Sequence, residues 1–210
     1  MKPFEILIEE SAAVHGHLCA GQVIGVRMAM LGCSLIGLEE PTQLDQIKKL
    51  VVYVEMDRCT ADAVAFVTGV KLGRRSLKFV DYGIMAATFV NLKTGEAFRI
   101  LSTEESRDLT CLYAPEIAEK EKQQIEAYMR MTDSVLFRVQ KVQVSISQYD
   151  LPGPTRRKVV CSRCGQVVRD HKEITVGGVP ICKPCSSEAY FTNPREIALG
   201  DISWGPNEQG

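Results

Sequence analysis

Four cysteines in the last quarter of this 210-residue chain give its clearest chemical signal. They form two Cys-x-x-Cys pairs, Cys161 with Cys164 and Cys182 with Cys185. Four thiolates at this spacing can close a tetrahedral zinc site of the structural kind. Because such a site leaves no open coordination position, we expect it to stabilise a small domain and not to catalyse a reaction.

The segment between the two pairs predicts the fold around that zinc. Gly177 and Gly178 indicate a hairpin turn, and the second pair is expected to open a helix over residues 186–191. A knuckle, a hairpin and a helix in this order form a treble-clef zinc finger. Any further chemistry must then lie in the longer, preceding part of the chain.

Three further candidate ligands lie within five residues near the start of the chain, at His15, His17 and Cys19. In an extended segment all three side chains would point the same way, and in a helix His15 and Cys19 would share a face. Imidazole and thiolate suit zinc or another late transition metal. The alternative, that ordinary hydrogen bonds satisfy the two histidines, stays open at this point.

A third cluster comprises Glu55, Asp57, Cys59 and Asp62, between a predicted strand and the helix that follows it. Open α/β sheets place ligand sites at the carboxyl ends of strands, and a helix N-terminus favours a thiolate at Cys59. Asp57, Asp62 and Cys59 are therefore the candidate catalytic residues. Alternatively, the two aspartates cap the helix and Cys59 is a small core residue.

Three other polar or sulfur-bearing residues are weaker candidates. Asp81 ends a predicted strand, where it could line the same cleft or simply form a turn. Cys33 and Cys111 lie among apolar residues, and we expect both to be buried.

Composition places the chain among globular proteins, with 45% hydrophobic residues, 24% charged residues and a formal net charge of −1. Without a long apolar run or a signal peptide, we expect no membrane span and a cytoplasmic location. The eight cysteines are then expected to be reduced thiols and metal ligands. Residues 155–193 carry seven Lys and Arg against three Asp and Glu. Basic residues often accompany thiolate sites, so we disfavour nucleic acid as a partner.

The hydrophobic pattern predicts an α+β fold with a mixed or antiparallel sheet and packed helices, followed by the small finger. A stripe of Gly21, Gly25 and Ala29 along the second helix is expected to pack on a sheet or on a second copy of the helix. Thr60 is the predicted N-cap of the helix that ends at Gly69. Helices are predicted at residues 4–14, from residue 20 onward, at 60–68 and at 102–131 with a break at 114–115. Strands are predicted at residues 50–56, 77–81, 86–91, 97–101 and 137–146.

The predicted domain organisation has four segments. They are a core at 1–150, a linker at 151–158, the finger at 159–193 and a tail at 194–210. The strands at 77–101 are expected to form a meander, and the strand at 137–146 to lie at a sheet edge.

The order and spacing of the motifs resemble those of a known family. The motifs are His15-Gly-His-Leu-Cys19 with Gly21, Glu55-x-Asp57-x-Cys59-x-x-Asp62, Thr68-Gly69, Leu72-Gly73 and Asp81-Tyr82-Gly83. Over residues 8–150 they resemble the E-subunit family of formylmethanofuran dehydrogenase. The resemblance implies an α+β core, commonly a homodimer, with a cleft where a metal binds. It also implies association with a molybdenum or tungsten oxidoreductase.

Two departures from the family pattern affect the expected cleft. Val70 stands where the family usually has a third cysteine, and Ile84 where it has a lysine. A reaction that needs that thiol or that cation is not expected here. The chain also lacks a ferredoxin-type cysteine run and a dinucleotide fingerprint, so it cannot reduce carbon dioxide alone.

These observations favour a metal-binding accessory protein. The core site, for zinc or another transition metal or a metallo-cofactor, is predicted at His17, Cys19 and Cys59, with His15 and Asp62 in support. His15 and Asp81 are the predicted cofactor-binding residues. Two alternatives are a stand-alone metal-dependent enzyme with an open core site and a regulatory or interaction protein that acts through the basic finger.

Overall fold

The computed structural model describes residues 1–195 and 197. These residues divide between two compact units, one spanning Met1–Gly153 and one that begins at Pro154. The tail predicted at 194–210 lies almost wholly outside the described residues. Within the described part of the chain, no helix has the length and apolarity needed to cross a membrane.

The first unit combines helices with one sheet in largely separate runs along the chain, which agrees with the predicted α+β class. Its helices are α1 (Phe4–His15), α2 (Ala20–Leu35), α3 (Leu44–Ile47), α4 (Cys59–Thr68), α5 (Glu105–Asp108), α6 (Thr110–Tyr113), α7 (Lys120–Arg130) and α8 (Asp133–Leu136). Its strands are β1 (Leu50–Val54), β2 (Leu77–Phe79), β3 (Ala86–Asn91), β4 (Ala97–Ser102) and β5 (Phe137–Lys141).

The five strands form one mixed sheet in the order β2-β1-β3-β4-β5. β1 and β2 are parallel, and the other neighbouring pairs are antiparallel. The meander prediction is therefore wrong for β2, which lies beside β1 and not beside β3. The edge position predicted for the last strand is confirmed. That strand ends at Lys141 and not at residue 146.

Both faces of the sheet are covered, which explains why β1 is almost entirely apolar. Leu50, Val52 and Val54 of β1 pack into the main core with the helices, whereas Val51 faces the other way. Residues 142–146, predicted as strand, instead supply Val142, Val144 and Ile146 to cover this second face. Val142 still donates its backbone N–H to the Ala97 carbonyl at 3.0 Å, and beyond it this segment contributes side chains that pack on the sheet.

The long helix predicted at 102–131 is divided among α5, α6 and α7. The predicted break is confirmed: Ala114, the last residue before Pro115, leaves the helical region with φ −140° and ψ 57°, as the proline ring requires. At the start of this stretch, α5 begins at Glu105 and not at residue 102. The N–H of Ser106 in its first turn donates to the Thr103 hydroxyl at 3.3 Å.

Gly21 and Gly25 of the α2 stripe pack on α4, which was neither of the two predicted partners, a sheet or a second copy of the helix. A Cβ on Gly25 would lie 2.6 Å from both the Thr60 carbonyl oxygen and the Ala63 Cβ. A Cβ on Gly21 would lie 3.0 Å from the Cys59 Cβ. Hydrogen at these two positions therefore allows the N-terminal halves of the two helices to touch along their backbones.

The same contact corrects the prediction for Thr60. α4 begins at Cys59, with Arg58 as its N-cap, and no side chain caps it. The Thr60 hydroxyl instead donates to the Gly21 carbonyl oxygen at 3.1 Å and joins the two helices. At the other end of α4, Gly69 has φ 72°, and the predicted glycine cap is confirmed.

The second unit is small and consists mainly of two hairpins. Its elements are β6 (Lys158–Val160), β7 (Val167–Arg169), β8 (Ile174–Val176), β9 (Val179–Ile181) and α9 (Lys183–Ser186). Gly177 and Gly178 form the predicted turn between β8 and β9, both with positive φ. The predicted helix at 186–191 is wrong, because the helix starts at Lys183 and ends where Ser187 takes φ 101°.

We predict that Gly25→Ala destabilises the protein. Alanine favours the helical state by about 1 kcal/mol over glycine. The new methyl group would, however, overlap backbone that cannot move independently, and overpacking of this kind costs about 1–3 kcal/mol or more. We expect a net loss near 2 kcal/mol in urea unfolding.

Gly73→Ala is the matched control, since a Cβ there meets no atom within 4 Å. A Gly25→Ala protein as stable as the Gly73→Ala protein would show that α2 and α4 do not pack this closely.

Candidate metal centres

The end of α1 places three potential ligands in sequence. Gly16 ends the helix with φ 101°, and its N–H donates to the Ala12 carbonyl at 2.8 Å. The chain then turns through His17 to Cys19, which is the extended N-cap residue of α2. The side chain of Cys19 makes no capping hydrogen bond, so its sulfur remains available as a ligand.

His15, His17 and Cys19 lie close together. One ligand atom from each lies within 4.8 Å of the other two. The two imidazole rings are tilted by 40°, with their centroids 4.9 Å apart. Two imidazoles and a thiol at this separation could share one metal ion.

An aspartate holds His15 in a defined orientation. His15 Nδ1 lies 3.1 Å from Asp62 Oδ2 across the cleft between α1 and α4. Because a carboxylate can only accept, Nδ1 carries the hydrogen, and in the neutral ring Nε2 then has the free lone pair. Nε2 is buried and has no hydrogen-bond partner among the described residues. A carboxylate behind a histidine with a free nitrogen is the usual support for a metal-binding imidazole.

Cys59 is the first residue of α4 and lies beside Cys19. Burial raises the pKa of the Cys59 thiol, and a hydrogen bond with Cys19 raises it further. The backbone N–H at the start of α4 lowers this pKa, as expected for a helix N-terminus, but burial and Cys19 outweigh it. Cys59 lies outside the three-residue group whose ligand atoms are within 4.8 Å. A cation beside the sulfurs of Cys19 and Cys59 would lower the pKa of the Cys59 thiol instead, because it stabilises the thiolate.

A buried polar chain, which was not predicted from the sequence, links the three helices behind this cluster. Gln22 is fully buried, and its side-chain N–H donates to the Cys59 carbonyl at 2.8 Å. The Ser11 hydroxyl donates to the Gln22 side-chain oxygen. A lone glutamine in the otherwise apolar first half of α2 was the sequence signal for this contact.

The other predicted site residues do not join the cluster. Arg99 binds both carboxylate oxygens of Glu55 at 2.7 Å in a nearly buried ion pair, so Glu55 is structural. Asp57 and Asp81 are exposed in loops, and no hydrogen bond within residues 1–195 connects either side chain to the cluster. Cys33 is buried as predicted, whereas Cys111 is exposed and that prediction is wrong.

A cavity of about 610 Å³ lies between α1 and α4, next to the cluster. His15, Gln22 and Asp62 line it, together with Phe66 and Val70. Val70 therefore supplies an apolar wall where the family pattern would place a thiol. Ile84, at the position of the family's lysine, is not among the residues that line this cavity.

The four cysteines of the second unit also form a compact cluster. Ligand atoms of Cys161, Cys164, Cys182 and Cys185 all lie within 4.8 Å of one another and could hold a metal ion. The N–H of Cys182 donates to Cys161 Sγ at 3.2 Å and lowers the pKa of Cys161 to about 6. Hydrogen bonds with Cys182 and Cys164 raise the pKa of Cys185 to about 12. Thiols packed so closely cannot all ionise without a cation between them.

Comparisons with known proteins found a matching family model and a similar curated protein. A family model described as "FmdE, Molybdenum formylmethanofuran dehydrogenase operon" matches residues 14–142. A "Probable S-adenosyl-L-methionine-binding protein" of Archaeoglobus fulgidus is 31% identical over 100 residues. That alignment covers 48% of this chain and 27% of the relative, so the chain matches about a quarter of the relative's length.

A solved structure extends the likeness to nearly the whole chain. It is the crystal structure of a tungsten formylmethanofuran dehydrogenase FmdE-like protein from Syntrophus aciditrophicus. The TM-score is 0.58 at 20% identity, over 90% of this chain and 94% of that chain. At this level of identity the likeness concerns the fold alone, and it agrees with the predicted α+β class and a small zinc-finger-like domain.

We predict that Asp62→Ala releases the His15 ring from its single tautomer. With the carboxylate present, the neutral ring should carry its hydrogen on Nδ1, and the variant should show a mixture with the Nε2–H form. Nitrogen-15 NMR of the imidazole distinguishes the two forms. Asp57→Ala removes an exposed carboxylate without touching His15 and should leave the tautomer unchanged. With both proteins stripped of metal by a chelator, an unchanged ring in the Asp62→Ala variant would show that the aspartate does not orient His15.

Proposed function

The chain belongs to the FmdE family, and we propose that it is a metal-binding accessory protein with one metal ion in its helical core and one in its cysteine finger. The match to residues 14–142 covers more than half of the chain and confirms the resemblance recognised from the motifs. The finger contributes structure. The core site is the functional one.

The observation that carries this proposal is the buried, unpartnered Nε2 of His15. A buried polar atom without a partner is costly, by about 1–3 kcal/mol, and proteins rarely retain one without a use. Asp62 already fixes the other ring nitrogen. A metal ion bound to Nε2 would satisfy the atom that the fold leaves open.

The proposed ligands of the core metal are His15, His17, Cys19 and Cys59. This set differs from the sequence prediction in one respect, since His15 changes from a supporting residue to a ligand. Imidazole and thiolate donors suit zinc or another late transition metal. Such an ion supplies Lewis acidity, or a point of attachment for a metallo-cofactor.

Zinc is the proposed occupant of the finger. Its four thiols come from two knuckles and can complete a closed tetrahedral set. The buried core of this unit is small, with Ile181 and two of the cysteines as its buried members. A metal is therefore the main source of stability available to it. We retain the predicted boundaries, with a linker at 151–158 and a finger at 159–193, as part of this proposal.

A molybdenum or tungsten oxidoreductase of the formylmethanofuran dehydrogenase kind is the proposed partner. The description of the matching family supports this choice, because it names the operon of that enzyme. The homodimer and the cytoplasmic location remain predictions from the sequence. Nucleic acid is not proposed as a partner.

A second candidate function is a stand-alone enzyme, and the cavity beside His15 favours it. A volume of about 610 Å³ can hold a small organic substrate next to the proposed metal. An accessory role would not require such a space. In this alternative, Asp62 is the acid–base group closest to the cluster.

We predict about two metal equivalents per chain in protein purified without chelator. Cys19→Ala combined with Cys59→Ala should remove one equivalent, because a thiolate ligand is lost from each helix. Cys161→Ser combined with Cys182→Ser should remove the other. Elemental analysis of the purified proteins measures both losses. Cys111→Ser, which changes an exposed cysteine outside both clusters, is the matched control and should keep both.

The proposal requires that each double variant loses one metal equivalent and keeps the other. One equivalent that survives the Cys19→Ala, Cys59→Ala change and disappears with the finger variant would restrict the metal to the finger and refute the core site. Circular dichroism of each variant establishes that the first unit remains folded.

A further inference from the structure

The cavity between α1 and α4 differs in character from one end to the other. At the start of α4 it is lined by polar groups, among them His15 and Asp62. About one turn further along α4, Ala65 and Phe66 add apolar walls. Beyond the end of α4, the lining includes Lys71.

Lys71 gives the far end of the cavity a positive charge. Its side chain is exposed and forms no ion pair with any residue in 1–195 or with 197. At the near end, the carboxylate of Asp62 faces His15 instead. The two ends therefore carry opposite charges, and an anionic group inside the cavity is attracted to Lys71 and repelled by Asp62.

The C-terminus of α4 opposes this attraction only weakly. A helix end carries about half a negative charge, concentrated on its last carbonyl groups. One of these groups already has a partner, because Gly69 N–H donates to the Ala65 oxygen at 2.9 Å. The full charge of Lys71 therefore dominates at this end.

The length of α4 determines how long a ligand must be to contact both ends of the cavity. Asp62 and Gly69 both line the cavity and are seven residues apart, almost all of them within α4. At 1.5 Å per residue this separation is about 10 Å. A molecule that touches both ends must therefore be elongated, with an apolar middle.

We propose that this cavity binds an elongated small organic anion, with a carboxylate or phosphate group at Lys71, an apolar chain along Ala65 and Phe66, and its other end beside His15. The position of the anionic end follows from the cavity alone. The position of the other end rests on the proposed function, because it would enter the coordination sphere of the core metal.

Hexanoate is a suitable probe for the anionic end, with hexanol as its uncharged counterpart. We expect hexanoate to bind the full-length protein more tightly than hexanol in an NMR chemical-shift titration at low salt, with shifts along the cavity. Lys71→Gln should weaken hexanoate binding about fivefold, and Lys71→Arg should restore it. Lys93→Gln, which removes an exposed lysine charge outside the cavity lining, should leave the affinity unchanged.

A bulky side chain introduced at Ala65 tests whether the ligand occupies the apolar part of the cavity. Ala65→Phe should abolish binding of both hexanoate and hexanol while the protein remains folded. Equal affinities for the acid and the alcohol, or equal effects of Lys71→Gln and Lys93→Gln, would overturn the proposal. Unchanged binding to the Ala65→Phe protein would also overturn it.

Suberate, a longer acid that carries a carboxylate at each end and better matches this length, separates this proposal from the proposed function. In protein with a loaded core site, suberate should bind at least as tightly as octanoate, because its second carboxylate can reach the metal. In the Cys19→Ala, Cys59→Ala protein, suberate should bind more weakly than octanoate, since Asp62 repels it. If the core binds no metal, suberate is the weaker ligand in both proteins and only the assignment of the second end fails. Dependence on Lys71 would then still support the anionic end.

Discussion

The close contact between α2 and α4 determines where the chemical groups of the core lie. Gly21 and Gly25 remove the two side chains that would hold the helices apart, and Thr60 bonds across the gap. Because both helices begin at the same end of this contact, Cys19 and Cys59 become neighbours. A wider separation would move the two thiols apart, and the buried Gln22 would lose its bond to the Cys59 carbonyl.

Features that depend on neighbours in the chain could be predicted from the sequence. Gly69 ends α4, and Pro115 breaks the helical stretch before it, because each residue limits its own backbone or that of its neighbour. Predictions were wrong where a contact with a residue far away in the sequence determines the structure. Thr60 has the right chemistry for a cap, but the Gly21 carbonyl takes its hydrogen bond. Likewise, β2 pairs with β1 through a crossover that no local pattern in its three residues reveals.

In the candidate site, too, contacts between residues close in the sequence could be predicted, and contacts between distant residues could not. His15, His17 and Cys19 could be recognised from spacing because a single turn brings them together. Asp62 was predicted to support the site, but its contact with His15 could not be inferred from spacing, since it depends on how α1 crosses α4. No motif singles out Lys71 either, which simply follows a helix end. Only the cavity relates it to His15.

The two clusters differ in what they can do with a metal. Four thiols in the finger can enclose an ion completely, whereas the core cluster combines imidazoles with thiols beside an accessible cavity. Anomalous diffraction from crystals of protein purified without chelator tests the core cluster directly. We expect one peak among the four finger cysteines and a second within about 2.0–2.1 Å of His15 Nε2 and about 2.3 Å of Cys19 Sγ. A single peak in the finger, with His15 Nε2 bound to water, would contradict a metal centre in the core.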